Sequence, residues 1–166
     1  MDTLDFKTSA IPAKELMELI RLQLENGGHA RLPVTGYSME PMLRHGKDAV
    51  YLRPVDPRQE KGDLILYRRR NGSFVLHRII SLHPEGYICS GDNQWDWEFV
   101  SHSQLLAVEN GFQRRGKTYA HDHPGYRFYR FLWVELFCLR WPYIRIRRFM
   151  GRCIRYLKRK LAPKGE

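Results

Sequence analysis

The sequence predicts a mainly β protein: a small coiled β-sheet or barrel with a helix before it and a basic amphipathic helix after it. Three observations carry this reading. Between residues 31 and 110, short β-branched and aliphatic runs recur between glycine and proline punctuation, the pattern of a small all-β unit. Residues 12 to 26 and 126 to 160 carry apolar residues at helical spacing instead. The charge is divided along the chain: residues 1 to 125 hold 16 Lys/Arg and 16 Asp/Glu, whereas residues 126 to 166 hold 12 Lys/Arg against Glu135 and Glu166. A neutral body and a cationic tail imply two jobs. The 166 residues accommodate one domain with an appendage, read as a helix over 1–30, a domain over 31–116 and a tail over 117–166.

In order along the chain, residues 12 to 26 form a helix. Pro12 suits its first position, Glu15 and Glu18 complement the dipole, Leu16, Ile20 and Leu24 share a face, and Gly27-Gly28 stop it. Strands follow at Arg31–Val34, Asp48–Leu52, Leu64–Tyr67, Phe74–Ile80, Gly86–Cys89 and Leu105–Val108. The clearest pairing is the hairpin around Arg69-Arg70-Asn71-Gly72, because Asn-Gly favours a tight turn. Lys117 to Tyr126 reads as a basic loop. The last helix carries Leu132, Leu136, Leu139, Tyr143, Ile146, Met150, Cys153 and Leu157 on one stripe, with Arg145, Arg148, Arg152, Arg155 and Arg159 away from it. Pro142 is expected to kink or divide this helix.

The chemistry centres on Gly36-Tyr37-Ser38-Met39-Glu40-Pro41-Met42-Leu43. Ser38 lies between a glycine that permits close backbone approach and a proline that fixes φ, a good place to present a hydroxyl, although a serine in a turn is also an ordinary turn residue. A serine nucleophile needs a base within hydrogen-bond reach. His77, a lone imidazole within Val75-Leu76-His77-Arg78-Ile79-Ile80, is the candidate; alone, it would equally suit an outward-facing strand position. Gly91-Asp92-Asn93-Gln94-Trp95-Asp96 follows, although Asp-Asn after Gly is also a common turn former.

Taken jointly, these stretches resemble the signal peptidase and LexA-like serine peptidase superfamily. Its serine box is Gly-x-Ser-Met-x-Pro-x-Leu, and Lys61–Tyr67 resembles the Gly-Asp-hydrophobic strand before its hairpin. His77-Arg78 resembles the histidine-base type, and Gly91-Asp92-Asn93 its Gly-Asp-Asn box. The likeness spans roughly residues 32 to 110. It implies a serine endopeptidase with Ser38 as nucleophile, His77 as general base, and Asp96 or Asp92 as the acid that holds the imidazole tautomer. It also implies an oxyanion hole using the Ser38 N–H, with a further donor from the Tyr37 or Thr35 region, and small residues beside the scissile bond. Three departures stand out. Gly46-Lys47-Asp48 carries an extra residue after the serine box, the N-terminal membrane anchor of signal peptidases has no counterpart, and neither does the DNA-binding domain of LexA-type repressors.

The remaining features narrow the classes. A hydrophobic fraction of 43% argues against a disordered or fibrous chain. Cys89, Cys138 and Cys153 lack metal-ligand spacing and do not make a disulfide framework, so a reducing compartment is the simpler expectation. His121-Asp122-His123 lacks a third metal ligand, and no motif requires a cofactor. Neither a secretory signal nor a membrane-spanning run is visible, so the expectation is a cytoplasmic or peripheral membrane protein. Residues 126 to 160 combine arginines with Phe128, Phe131, Trp133, Phe137, Trp141 and Phe149, fitting an anionic membrane surface first. Docking on a partner or on the chain's own domain also fits; nucleic acid fits less well, because phosphate binding needs few tryptophans. Two functions are carried forward: an endopeptidase cleaving a precursor or leader peptide, and a non-catalytic binding protein of the same fold that uses its tail for membrane or nucleic-acid association. Self-cleavage has less support, because no small-residue cleavage loop stands out.

Overall fold

A computed structural model describes residues 3–5 and 13–161; Pro12, the expected helix start, lies outside them. The element order is β1 (Thr3–Asp5), α1 (Ala13–Glu25), β2 (His29–Pro33), β3 (Ala49–Arg53), β4 (Leu64–Arg68), β5 (Phe74–His83), β6 (Gly86–Ser90) and β7 (Glu98–Ser101). A 3-10 turn (His102–Gln104), β8 (Leu105–Arg114), β9 (Lys117–Ala120), α2 (Pro124–Glu135) and α3 (Phe137–Leu161) complete it. The fold is thus mainly β with helices at both ends.

The strands form one sheet in the order β1-β2-β3-β8-β4-β5-β6-β7, antiparallel except for the β1–β2 pair. The sheet is open, since β1 and β7 stand at opposite ends of that order; of the expected alternatives, sheet or barrel, the sheet is formed. Long β8 organises it. Val108 pairs with Arg53 on one edge and Ile65 on the other, and past it β9 continues along the β4 edge.

Strand alternation puts β4 between two cores. Leu64 and Leu66 pack with Leu16, Ile20 and Leu24 of α1, while Ile65 and Tyr67 pack with Ile79, Cys89, Val100 and Val108. Burying both faces explains why β4 reads as a continuous apolar run.

Two expectations are corrected. The expected loop over residues 117–126 begins instead as β9, turning back on β8 through Arg115 and Gly116, both at positive φ (52° and 78°), the requirement of a tight primed turn. The boundary after residue 116 therefore falls inside a hairpin. The terminal helix divides at Leu136, not at Pro142, which sits within α3 between two buried anchors, Arg140 and Ile144. The apolar stripe, whose cover the sequence left open between a membrane surface, a partner and the chain's own domain, is largely exposed along α3. Tyr143, Ile146, Met150 and Cys153 are exposed, whereas Val134, Arg140 and Ile144 are buried. The side chains of Phe137, Leu139, Trp141, Arg148, Arg155, Leu157 and Arg159 lie outside the described set.

Candidate active site

The serine loop is held from below by its apolar members. Met39, Met42 and Leu43 are buried in the α1-side core, and the Leu43 N–H donates to the Met39 carbonyl at 2.9 Å. Gly36 starts the turn at φ +85°, a conformation other residues rarely adopt. Its N–H donates to His45 Nδ1 at 3.0 Å. This leaves Tyr37 exposed and Ser38 half-buried at the loop's tip.

A second loop, between β6 and β7, closes onto it. The Asn93 N–H donates to the Ser38 carbonyl at 2.7 Å and Asn93 Nδ2 to the Tyr37 carbonyl at 3.1 Å. Gly91 is required by contact: a Cβ there would lie 2.8 Å from the Ser38 backbone carbonyl oxygen and 2.6 Å from Gln94 Oε1. The Gly-Asp-Asn stretch therefore braces the serine loop directly.

His77 stands on β5 opposite Ile65 and is 3% exposed. Its Nδ1 lies 3.0 Å from Tyr67 Oη, which in turn donates to Glu98 Oε1 at 2.6 Å. Arg69 grips the same carboxylate with Nε to Oε2 at 2.8 Å. Partial burial works against the Glu98 charge, but hydrogen bonds from Arg69 and Tyr67 outweigh it and hold the carboxyl below its ordinary value. A carboxylate only accepts, so the Tyr67 proton goes to Glu98, and Tyr67 Oη accepts from His77. That assigns the His77 proton to Nδ1 and leaves the Nε2 lone pair as its base. Burial pushes His77 down to about 4, with Arg69 acting in the same direction and Glu98 opposing, so the imidazole is neutral at physiological pH.

Neither expected aspartate takes this position. Asp92 is fully buried and forms a two-point ion pair with Arg78, with both oxygens at 2.8 Å, while Tyr129 donates to it at 3.0 Å. Asp96 is exposed on the β6–β7 loop. The carboxylate that reaches the imidazole is Glu98, at 3.5 Å from Nδ1. Alternation on β5 separates the roles of neighbours: His77 joins Tyr67 and Glu98, and Arg78 joins Asp92, the Gly62 carbonyl and Tyr126.

Ser38 and His77 line one cleft of about 400 Å³, together with Met17, Leu32, Phe74 and Gln94 among others. Among the described residues no hydrogen bond engages the Ser38 hydroxyl, so it and the imidazole share the cleft without a direct bond. Catalytic hydrogen bonds often tighten only when substrate is bound. The arrangement can supply a hydroxyl, a neutral imidazole of fixed tautomer and an extended apolar wall.

Sequence reasoning missed Tyr67 and Glu98. The Asn71-Gly72 hairpin held the signal for Tyr67: with Tyr67 opposite Val75 and Ile65 opposite His77, Tyr67 and His77 are diagonal neighbours on one face. Glu98 comes into range only through the β6–β7 pairing, where it lies opposite Cys89.

The other candidates take structural places. The Cys89 thiol is buried among apolar side chains and pushed up to about 12 by that burial, so it is not a ready nucleophile. His121 bonds Glu109 at 3.0 Å and Arg130 at 2.6 Å, in a polar cluster between α2 and the sheet. Among the described residues no three His, Cys, Asp or Glu converge as a metal ion would require, and no helix is long and apolar enough to cross a membrane. No family model, curated protein or solved structure matches the chain.

Proposed function

We propose that this protein is a serine endopeptidase of the signal peptidase/LexA-like kind, cleaving an extended segment of a peptide or precursor protein. The observation that carries the reading is the shared cleft of Ser38 and His77, with Nδ1 of the imidazole tied through Tyr67 to Glu98. His77 Nε2 takes the hydroxyl proton as Ser38 Oγ attacks the scissile carbonyl. The imidazolium then returns that proton to the leaving amine, giving an acyl-serine and a free peptide amine. Water, deprotonated by the same nitrogen, releases the acid and restores the hydroxyl. The Ser38 backbone N–H is the first candidate donor to the developing oxyanion.

Glu98, acting through Tyr67, takes the orienting role expected of Asp96 or Asp92. It is a positioning residue: it stabilises the Nδ1–H tautomer and the positive charge that forms on the ring. Met17, Leu32 and Phe74 give the cleft an apolar wall suited to a substrate strand laid beside the sheet.

The test is cleavage of a mixture of fluorogenic peptides, with product termini read by mass spectrometry. The wild-type protein is expected to cut at a defined set of bonds, and folded Ser38→Ala to cut none of them. Equal cleavage by both proteins would assign the activity to a contaminant and remove the proposal's support.

A further inference from the structure

The tail is fastened to the site by one side, and among the described residues most of its other side chains are exposed. Arg140 bonds the Gly91 carbonyl and, at 2.7 Å, the Gln94 carbonyl. Trp133 Nε1 donates to the Asp92 carbonyl at 2.9 Å. Arg147 reaches Glu40, two residues beyond Ser38, at 2.6 Å. Arg140, Ile144, Arg147 and Gly151 follow each other at three- and four-residue intervals and form the packed face of α3, Ile144 and Arg140 being buried and the other two half-buried.

At 100° per residue the rest of α3 divides into two arcs. Tyr143, Ile146, Phe149, Met150, Cys153 and Ile154 form an apolar arc on one flank, and all are exposed; Ile146 and Phe149 are each 59% exposed and Met150 56%. Arg145 and Arg152 are exposed on the opposite flank. The whole helix carries nine Lys/Arg and no Asp/Glu. Tyr143, Ile146, Met150 and Ile154 edge an open cleft beside Glu40 and Asn93, and Tyr143 meets the Trp133 ring, yet all stay exposed, so burial on the protein's own domain does not account for the pattern.

We propose that α3 seats the protein on an anionic lipid bilayer. The apolar arc enters the headgroup boundary and the flanking arginines meet lipid phosphates and acidic headgroups. The chemistry fits a bilayer surface in three respects. The helix is too polar to span, its described apolar side chains are contiguous and exposed, and its charge is of one sign and complements anionic lipid. Because the same helix clamps the Gly91–Gln94 segment and Glu40, docking holds the Ser38 cleft at the membrane surface. The docking does not depend on the peptidase reading. If both hold, the substrates are peptide segments presented at a bilayer.

The experiment is co-sedimentation of the full-length protein with sucrose-loaded vesicles of phosphatidylcholine alone and of phosphatidylcholine with phosphatidylglycerol. Binding to a short labelled DNA duplex is measured in parallel. Vesicle association is expected to rise at least tenfold with the anionic lipid. It should fall about tenfold in Ile146→Glu/Met150→Glu and, separately, in Arg152→Glu. These positions are exposed, so near-ultraviolet circular dichroism should be unchanged. Failure to bind anionic vesicles overturns the proposal. So does vesicle association indifferent to Ile146→Glu/Met150→Glu, with or without DNA binding, since a bare charge contact would then be enough.

Discussion

Asp92→Ala is expected to lower the unfolding free energy by about 3–5 kcal/mol, the usual cost of removing one partner of a buried ion pair. Arg78 is 1% exposed and cannot lose its charge: burial opposes that charge, but Asp92 holds its ionisation well above the ordinary value. Without the carboxylate, a guanidinium is left in the interior between the Tyr126 and Tyr129 rings, and the Tyr129 hydroxyl loses its acceptor. The loss should extend beyond the pair, because Asp92 and its neighbours receive α2 and α3 on one side and brace the serine loop on the other. Asp96→Ala is the control. Its side chain is exposed, and a surface change of this kind is expected to stay within about 0.5 kcal/mol. Urea unfolding of the two variants measures both. A loss below about 1 kcal/mol for Asp92→Ala would contradict the assignment of the buried pair as the clamp of this loop.

His77→Ala is expected to reduce turnover about 10³–10⁴-fold with little change in substrate binding, since general-base catalysis by a positioned side chain contributes up to that order. The pH dependence gives an independent signature. With His77 near 4, the acid limb of kcat/KM should lie near pH 4, well below an ordinary histidine at 6.5, and it should vanish in the variant. The sign for stability follows the same shift. Between pH 6.5 and about 4 the unfolded chain takes up a proton that the folded imidazole refuses, so His77 contributes stability at neutral pH that is lost as pH falls through that window. His77→Ala should flatten this part of the stability curve.

The amount legible in the sequence differed by element, for physical reasons. The β4–β5 hairpin could be read because Asn71-Gly72 sets its turn and β4 is apolar on both faces. α1 could be read because its buried residues recur at helical spacing. Short β7 and polar β9 were missed: each has four residues, and β9 is held chiefly by pairing with β8 through a turn that needs Arg115 at positive φ. Ser38 and His77 were singled out from their local sequence, and the fold puts both on the lining of one cleft. The carboxylate beside the imidazole could not be chosen from spacing. Three acidic residues lie within Asp92–Glu98, and sheet pairing brings the last of them to Tyr67 while Arg78 takes the first. The helical stripe in the tail was visible, but the partner of that stripe was not. Periodicity reports an apolar face without saying what covers it.

The most direct measurement of the central claim is mass-spectrometric mapping of the folded protein after treatment with an active-site serine acylator, with Ser38→Ala and His77→Ala alongside. One adduct is expected, on Ser38, absent from the first variant and reduced about a hundredfold or more in the second. An adduct formed equally in wild type and His77→Ala, or none at Ser38 in folded wild-type protein, would contradict a serine activated by this imidazole.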